Sequence, residues 1–232
     1  MKKITLPDEG VYLFANILMA FSVAMLTAAD FGISMIVAPA YLLSQKLTFL
    51  TFGQSEYVLQ AGVFVLFCVL MKRVKAVYFG SFFTCLLYGA VLDAWRWLVP
   101  LFNPNLTAPG SMALPLRVGM FIVGMVLTSL SVALFFRCYW YPQVYDFFVK
   151  GVSQRFSLNR TRFKMGFDLC CLAVSVAMSL LLFGTFVGVG FGTLIMACCN
   201  GLLIGWFSRL LERYVELKPL FPKLAAAFSL DT

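Results

Sequence analysis

Six long apolar stretches alternate with shorter polar segments along the 232-residue chain. Each stretch approaches the roughly 20 residues that an α-helix needs to cross the hydrocarbon core of a bilayer. The predicted spans are residues 11–29, 57–71, 76–99, 116–136, 166–184 and 188–208. The pattern therefore predicts an all-α membrane protein with six transmembrane helices in a single polytopic domain, residues 1–232.

Basic residues fall in alternate connections between these spans. Fifteen of the eighteen Lys and Arg residues lie before the first span, between the second and third, between the fourth and fifth, and after the sixth. The opposite side keeps only Lys46, Arg96 and Arg117. Because basic loops are held on the cytoplasmic side during insertion, we expect a multi-pass protein with both termini in the cytoplasm.

Composition agrees with this topology, since 62% of the residues are hydrophobic and only 12% are charged. The net charge of +8 would suggest nucleic-acid binding in a soluble protein. Here the excess of Lys and Arg is what asymmetric membrane insertion produces. The lipid bilayer is therefore the expected partner, and nucleic acid is not.

The two halves of the chain resemble each other. Residues 56–98 align with residues 168–210 at a constant offset of 112 without a gap. The aligned pairs share chemistry: Glu56 with Asp168, Gly80 with Gly192, Ser81 with Thr193, and Gly89 with Gly201. Because each copy has three spans, an odd number, the second copy must be inverted. We therefore predict an inverted 3+3 repeat, as in many channels and secondary transporters, with copies at about 11–99 and 116–210.

Short motifs in both halves are similar to those of a known family. In the second half they run from Arg162 through Asp168 to Gly190-Phe191-Gly192-Thr193 and Gly201; in the first half they are Ala29-Asp30-Phe31-Gly32-Ile33-Ser34, Leu43-Ser44-Gln45-Lys46-Leu47 and the helix near Glu56. In these motifs the chain resembles the YitT/YczE family of bacterial integral membrane proteins. It departs from the family where Ile36-Val37-Ala38-Pro39 replaces a Pro-Trp-Asp-like step. The resemblance implies a bacterial inner (plasma) membrane and little about activity.

A short apolar segment follows the first and the fourth spans, at residues 31–47 and 138–152. Each is too short to cross a bilayer and too apolar for an ordinary loop. One interpretation is a pair of re-entrant helices whose backbone ends bind an ion or polar solute at mid-depth. The other is a pair of amphipathic helices in the membrane interface. Asp146 and Lys150 favour the interfacial interpretation for the second segment, whereas the first segment does not discriminate.

Ionisable residues at the edges of the spans are candidates for function, because a charge in hydrocarbon is costly unless it is paired or hydrated. Glu56, Asp168 and Asp30 are therefore candidate substrate-binding residues. Structural alternatives exist for each. An acid at a helix N-terminus is favourable, which fits Glu56 and Asp168. Asp30 fits a bend, and Asp93 can pair with Arg96 one turn later.

Neutral polar residues within apolar spans need partners there and are further candidates for substrate binding. They are Asn16, Gln60, Thr84, Thr193 and Asn200, of which Gln60, Thr193 and Asn200 are the chosen candidates. For Asn200 the alternative is a hydrogen bond between helices that fixes their packing. The repeated glycines are predicted to allow close helix packing, with exposure of backbone to a ligand as the alternative: Gly80, Gly89, Gly192 and Gly201.

The chemistry of the chain argues against catalysis and metal binding. Its sequence contains no histidine, and its seven cysteines show no CxxC spacing. No hydrolase motif is present in the sequence. We therefore expect no enzymatic activity, no metal ion and no organic cofactor.

Two functions remain open. The first is a transporter or channel for a small solute or ion of unknown identity, which should have a polar cavity at mid-depth lined by Asn200, Thr193 and Gln60. The second is a non-transporting substrate-binding or accessory subunit, similar to the binding subunit of an energy-coupling transporter. Such a subunit should have a packed centre and a docking surface of small residues: Ala15, Ala20 and Ala24. A homo-oligomer is compatible with either function.

Overall fold

The structure, a computed structural model, describes residues 4–72, 74–75 and 78–228. Lys2, Lys3, Arg73 and the first two residues of the predicted third span therefore lie outside the described residues. Helices dominate the described chain, with these bounds: α1 Asp8–Ala29, α2 Ala38–Lys46, α3 Phe52–Met71, α4 Phe79–Leu98, α5 Leu114–Phe135, α6 Val144–Arg155, α7 Arg160–Phe183, α8 Phe191–Tyr214 and α9 Pro222–Phe228. A 3₁₀ turn covers Pro100–Phe102, and two short strands flank the bundle: β1 Ile4–Pro7 and β2 Val215–Lys218.

Five of the long helices are apolar enough, by length and composition, to cross a membrane: α1, α3, α5, α7 and α8. Helix α4 has the same length as α3, 20 residues, but Asp93, Arg96 and its small polar residues lower its mean hydropathy. The described chain is thus that of a helical, multi-pass membrane protein. Each of these six helices overlaps one span predicted from the sequence.

A small parallel sheet joins the segment before α1 to the segment after α8. Strand β1 pairs with β2 in the register Ile4 with Val215 through Pro7 with Lys218. The Glu9 carboxylate adds to this contact, because it accepts hydrogen bonds from the backbone N–H groups of Leu220 and Phe221. Since β1 directly precedes α1 and β2 directly follows α8, α1 begins and α8 ends at the same end of the bundle. A chain with this arrangement crosses the bundle an even number of times.

Helix α1 lies at the centre and packs against α4 and α5. Its small residues Ala15, Ala20 and Ala24 are fully buried and allow these helices to approach closely. The accessory-subunit hypothesis expected these three alanines to form an exposed docking surface. Their burial contradicts that expectation. Helix α5 packs in turn against α8, and α3 packs against α4.

Helix α6 lies inside the bundle rather than along its surface. It packs against α3, α4 and α7, and Val144, Phe147 and Val149 are almost completely buried. Its charged residue Asp146 bonds to Lys164 of α7 instead of facing solvent alone. The interfacial interpretation favoured for residues 138–152 was therefore wrong, because an ion pair between two packed helices gives the segment the polar pattern of a surface helix.

Both short helices run alongside one half of a longer helix. The N–H of Val144 at the start of α6 contacts Gln60 in the middle of α3, and Arg155 at its end contacts the Met71 carbonyl at the end of α3. Helix α2 ends beside the C-terminal end of α7, where Lys46 Nζ donates to the Leu182 carbonyl at 3.0 Å. Helix α6 thus lies beside the C-terminal half of α3 and α2 packs against α7, an arrangement compatible with the re-entrant interpretation.

The repeated glycines occupy different environments. A Cβ at Gly89 would overlap Tyr57 and the backbone of Gly53, so this residue lies where α3 and α4 touch. A Cβ at Gly192 would lie 2.6 Å from a ring carbon of Phe121, at the contact of α8 with α5. The Gly80 carbonyl instead accepts a hydrogen bond from the Trp140 indole.

Gly201 departs from the prediction of close helix packing. No heavy atom of the described chain, apart from its own helix backbone and sequence neighbours, lies within 4 Å of a Cβ built there. The difference arises because α3 and α4 pack together, whereas α7 and α8 do not pack closely in the described structure.

We expect Gly89→Ala and Gly201→Ala to have opposite consequences, although the two positions are equivalent in the repeat. The first substitution overpacks the α3–α4 contact and should lower the free energy of unfolding by about 1–3 kcal/mol. The second adds a methyl group to an open face and should leave stability unchanged within about 0.5 kcal/mol. Thermal unfolding in detergent measures both variants; equal melting temperatures would contradict the α3–α4 contact.

Single cysteines should be labelled from opposite sides of the membrane on either side of α4. In a background without the seven native cysteines, we expect Lys72→Cys and Lys218→Cys to react with an impermeant maleimide from one side, and Asn105→Cys from the other. Labelling in detergent serves as the control for reactivity. If the Lys72→Cys and Asn105→Cys variants were labelled from the same side, α4 would not cross.

Candidate functional site

A group of buried polar residues joins α3 to the start of α6. Glu56 and Gln60 are fully buried on α3. Glu56 Oε2 accepts hydrogen bonds from Gln60 Nε2 at 3.1 Å and from the Tyr145 hydroxyl at 3.3 Å. Gln60 Oε1 accepts from the Val144 N–H at 3.1 Å, and Gln60 Nε2 donates to Gln143 Oε1 at 3.4 Å. These five residues form what we call the Glu56 cluster.

Local sequence explains why these groups meet. Thr51 and Gln54 form a capping box that starts α3, and the four-residue spacing of Glu56 and Gln60 then places both side chains on one face. The first N–H groups of a helix have no partner within the helix. Gln60 provides one for Val144, and the partial positive charge of the α6 N-terminus lies close to the Glu56 carboxylate.

Several polar atoms in and beside the cluster have no hydrogen-bond partner among the residues that the structure describes: Glu56 Oε1, Gln143 Nε2, the Tyr88 hydroxyl and the Ser55 hydroxyl. Tyr88 is 1% exposed on α4, one turn after Cys85, whose sulfur lies 4.0 Å from the Glu56 carbonyl oxygen. Buried polar groups in folded proteins are nearly always hydrogen-bonded. A concentration of unpartnered donors and acceptors is therefore suited to binding a proton, an ion or a small polar group.

Glu56 is fully buried and has no basic partner among the described residues. The ion pairs of the described chain involve Asp30, Asp146, Asp168 and Glu216, but not Glu56. An unpaired carboxylate in hydrocarbon costs several kcal/mol. This cost is removed when the carboxyl binds a proton or a cation, which makes Glu56 the centre of the candidate site.

Asp168, its repeat equivalent, lies in an ion cluster instead. Lys164 Nζ is 3.0 Å from Asp146 Oδ1 on α6 and 3.7 Å from Asp168 Oδ1 on α7. Asp168 is the ninth residue of α7 and Glu56 the fifth of α3, so neither lies in the first turn. Stabilisation of a carboxylate by the helix dipole falls off within the first turn. The dipoles of α3 and α7 therefore do not explain the positions of Glu56 and Asp168.

Asp30 lies at the bend after α1, with a left-handed backbone at φ 54°. Arg117 holds this bend: its guanidinium donates to the Ala29 and Asp30 carbonyls at 2.8 and 3.0 Å and lies 3.9 Å from the Asp30 carboxylate. Burial raises the pKa of the Asp30 carboxyl, and the charge of Arg117 opposes this shift. The arrangement gives Asp30 a structural role at one end of the bundle.

Thr193 is the third residue of α8 and lies beside Gly32, just after the same bend. Its hydroxyl accepts a hydrogen bond from the Gly190 N–H at 3.2 Å. The Gly192 N–H donates to the Phe31 carbonyl at 2.7 Å, which joins α8 to the chain after α1. Gly32, with φ 101°, has Thr193 and Gly190 against its Cα, so a side chain would not fit there. Thr193 thus belongs to a tight backbone junction.

Asn200 lies on the contact between α5 and α8. The Ser129 hydroxyl donates to Asn200 Oδ1 at 3.4 Å. This is the interhelical hydrogen bond that the sequence suggested as an alternative to substrate binding. Asn200, Thr193 and Gln60 therefore occupy three separate places and do not line one cavity.

The centre of the bundle is closely packed near the start of α2. A cavity of about 20 Å³ lies there between α1, α2, α5 and α8, lined mainly by apolar side chains together with Ser34 and Thr128. This volume holds about one water molecule. A solute larger than this needs a rearrangement of the helices to pass.

Sequence reasoning identified Glu56 and Gln60 but missed Tyr88, Gln143 and Tyr145. Tyr88 lies in an apolar helix, where an aromatic residue carries no special signal. Gln143 and Tyr145 follow Pro142 at the start of the second short segment. The re-entrant interpretation of residues 138–152 could have identified Gln143 and Tyr145, because it predicts that the first residues of this short helix lie at mid-depth.

These features define a polytopic helical membrane protein with a buried acidic site. Residues 7–209 match the family of unknown function DUF6198, and the protein belongs to that family. Comparisons with curated proteins and with solved structures gave no match. The family match does not single out YitT/YczE, so that resemblance stays an expectation.

Removing the central cation of the ion cluster should destabilise the α6–α7 contact. We expect Lys164→Met to lower the free energy of unfolding by about 1–2 kcal/mol, less than for a fully buried pair because the Lys164 side chain is 33% exposed. Stability should partly recover at lower pH, where protonation of Asp168 relieves its repulsion with the neighbouring carboxylate. Unfolding in detergent between pH 5 and 8 measures this, with Lys223→Met on the exposed α9 as control; a pH-independent loss would contradict the assignment.

Proposed function

We propose that this protein is a membrane transporter that couples movement of a small solute or ion to protonation of Glu56. The observation that carries the proposal is the fully buried carboxyl group, without a basic partner in the described chain, at the start of the re-entrant helix α6. Irregular backbone and half-helix ends at mid-depth are the usual places for substrate and coupling-ion sites in secondary transporters.

We further propose that six helices cross the membrane as an inverted 3+3 repeat. The same contacts occur twice: α1 packs against α4 as α5 does against α8, and α3 packs against α6 as α7 does against α2. The chain after α1 contacts Gly192 of α8, and the chain after α5 contacts Gly80 of α4. The β1–β2 pair implies that the chain crosses the bundle an even number of times. This supports counting α4 as the sixth membrane-spanning helix.

The orientation follows from the charges at the two ends of the bundle. Lys72, Lys75 and Arg155 lie at the end where the terminal strands pair. By the positive-inside rule this end faces the cytoplasm, with both termini, in a bacterial inner membrane. The site then lies between a cytoplasmic end rich in basic residues and an outer end that carries Lys46, Arg96 and Arg117.

In a coupled cycle, Glu56 has two states with different demands on its surroundings. When deprotonated, it holds a negative charge that Gln60, Tyr145 and the α6 N-terminus stabilise by hydrogen bonding and by the helix dipole. When protonated, it is neutral and can itself donate a hydrogen bond. A change between these states alters the attachment of α6 to α3, and such a change at a helix contact is suited to opening a path.

The accessory-subunit hypothesis has one observation in its favour, the closely packed centre with a cavity of about 20 Å³. Its expected docking residues Ala15, Ala20 and Ala24 are fully buried in the bundle, which weighs against it. We therefore retain transport as the proposal. A stable complex with an ATPase module on purification would favour the accessory function.

Transport by the purified protein in proteoliposomes tests the proposal. A panel of anions, amino acids and vitamins should include at least one solute whose uptake increases when a pH gradient is imposed. We expect Glu56→Gln to abolish this stimulation, because an amide keeps the hydrogen bonds but cannot take up a proton. Glu212→Gln, on the exposed face of α8, is the matched control and should retain it.

Two outcomes would count against coupling at Glu56. Undiminished stimulation in Glu56→Gln would remove the acid from the mechanism. Absence of uptake for every solute, in preparations that remain monodisperse, would remove the transport function.

A further inference from the structure

We propose that a groove between the C-terminal half of α3 and the start of α4 binds an anionic phospholipid. An acyl chain lies in the groove, and the phosphate of the headgroup lies against Lys72 and Arg155. The inference concerns the surface that the protein presents to the bilayer. It goes beyond the transport function and does not depend on protonation of Glu56.

The groove has a volume of about 490 Å³ and is apolar along most of its length. Phe64 is its most buried lining residue and packs against the Phe79 ring, with centroids 5.2 Å apart. Val65 and Val69 of α3, together with Phe79 at the start of α4, are more than half exposed and form its sides. Among the described lining residues, Lys72 alone is charged. The groove is thus suited to a hydrocarbon chain with a charged group at one end.

The length of the groove matches an acyl chain within one leaflet. Phe64, Cys68 and Lys72 line it at intervals of four residues, so they follow one face of α3. Eight residues of α-helix rise about 12 Å. Half of the hydrocarbon core of a bilayer is roughly 15 Å thick. Since Lys72 directly follows the last residue of α3, the charged end of the groove lies where the headgroups begin.

Two cations meet at this end of the groove. Arg155, the last residue of α6, donates from its guanidinium to the Met71 carbonyl at 2.8 Å, directly beside Lys72 in the chain. Both side chains belong to exposed residues. None of the ion pairs found among the described residues involves either of them. Their charges therefore complement an anion that approaches from the bilayer surface.

Lys72 connects the apolar and the charged parts of the site. The residue lines the groove, and a lysine near a helix end extends its ammonium group to the membrane interface along its hydrocarbon stem. A phospholipid occupies both parts at once. Free phosphate would leave the groove without its chain, and a lipid without net charge would leave the two cations uncompensated. Basic sites of this kind at the cytoplasmic ends of membrane helices select anionic headgroups.

The exposed apolar face of α8 provides a comparison within the same molecule. Leu194 and Leu202 are more than half exposed, like the sides of the groove. The sequence of α8 carries no charged residue before Arg209. We therefore expect lipid chains to contact this face without selection for the headgroup.

Photolabelling of the full chain in phosphatidylcholine nanodiscs tests the site. Phosphatidylglycerol or phosphatidylcholine, each with the same diazirine-bearing acyl chain, is added at equal mole fraction, and labelled peptides are quantified by mass spectrometry. We expect residues 64–79 to be labelled at least tenfold more by phosphatidylglycerol, since each cation should contribute about fivefold in affinity. Residues 191–208 should be labelled equally by both lipids.

Charge variants assign the preference to the two cations. Lys72→Gln and Arg155→Gln should each lower it about fivefold, and the double variant should remove it. Lys72→Arg keeps the charge and should retain the preference. Lys46→Gln removes a cation beside the Leu182 carbonyl at the other end of the bundle and should leave residues 64–79 unaffected. Because Arg155→Gln also loses the bond to Met71, Lys72→Gln decides the matter if that variant does not fold.

Three outcomes would overturn the lipid site. Equal labelling of residues 64–79 by the two lipids would mean that the groove takes up bilayer lipid without selection. A preference that persists in the double variant would assign it to other groups. Adducts between two protein chains at these residues, in place of lipid adducts, would identify a second copy as the occupant. None of these results bears on Glu56, so the transport function stands or falls by its own experiment.

Discussion

The hydrogen bond between Gln60 and the first N–H of α6 fixes the arrangement of the bundle interior. A helix that starts inside a membrane leaves N–H groups without partners, and water is not there to replace them. Gln60 Oε1 accepts from Val144 at 3.1 Å, and the amide of the same side chain binds Glu56. One glutamine thus satisfies the first N–H of α6 and holds the acid beside the positive end of the α6 dipole. The location of the candidate site follows from that constraint.

The apolar periodicity predicted the long helices because hydrocarbon tolerates few exceptions to it. It failed where polar groups are paired within the bundle. Asp146 resembles a surface residue in sequence, yet its carboxylate meets Lys164 inside the α6–α7 contact. Helix α4 was predicted as a span although Asp93 lowers its hydropathy, and the Asp93 carboxylate is satisfied by the Gly53 N–H at the start of α3. Pairing of this kind joins residues far apart in sequence, so a local pattern does not contain it.

The candidate site shows the same limit. Glu56 and Gln60 were found because they lie four residues apart on one helix, whereas Tyr88 and Tyr145 come from other helices. The repeat also suggested that Glu56 and Asp168 were equivalent, but only Asp168 has a lysine one turn earlier, and that lysine neutralises it. Likewise Gly89 and Gly201 differ because α3 and α4 pack together and α7 and α8 do not. Positions that align between the two halves of the sequence thus lie in different physical environments.

The parallel strands β1 and β2 have a consequence for biogenesis. A ribosome completes β1 first and β2 more than two hundred residues later, with every long helix in between. Their pairing therefore cannot form until α8 has left the insertion machinery. Until then, the Glu9 carboxylate lacks the amides of Leu220 and Phe221. Closure of this sheet is therefore a late step in assembly, and a chain that stops before β2 would leave the edge of β1 unpaired.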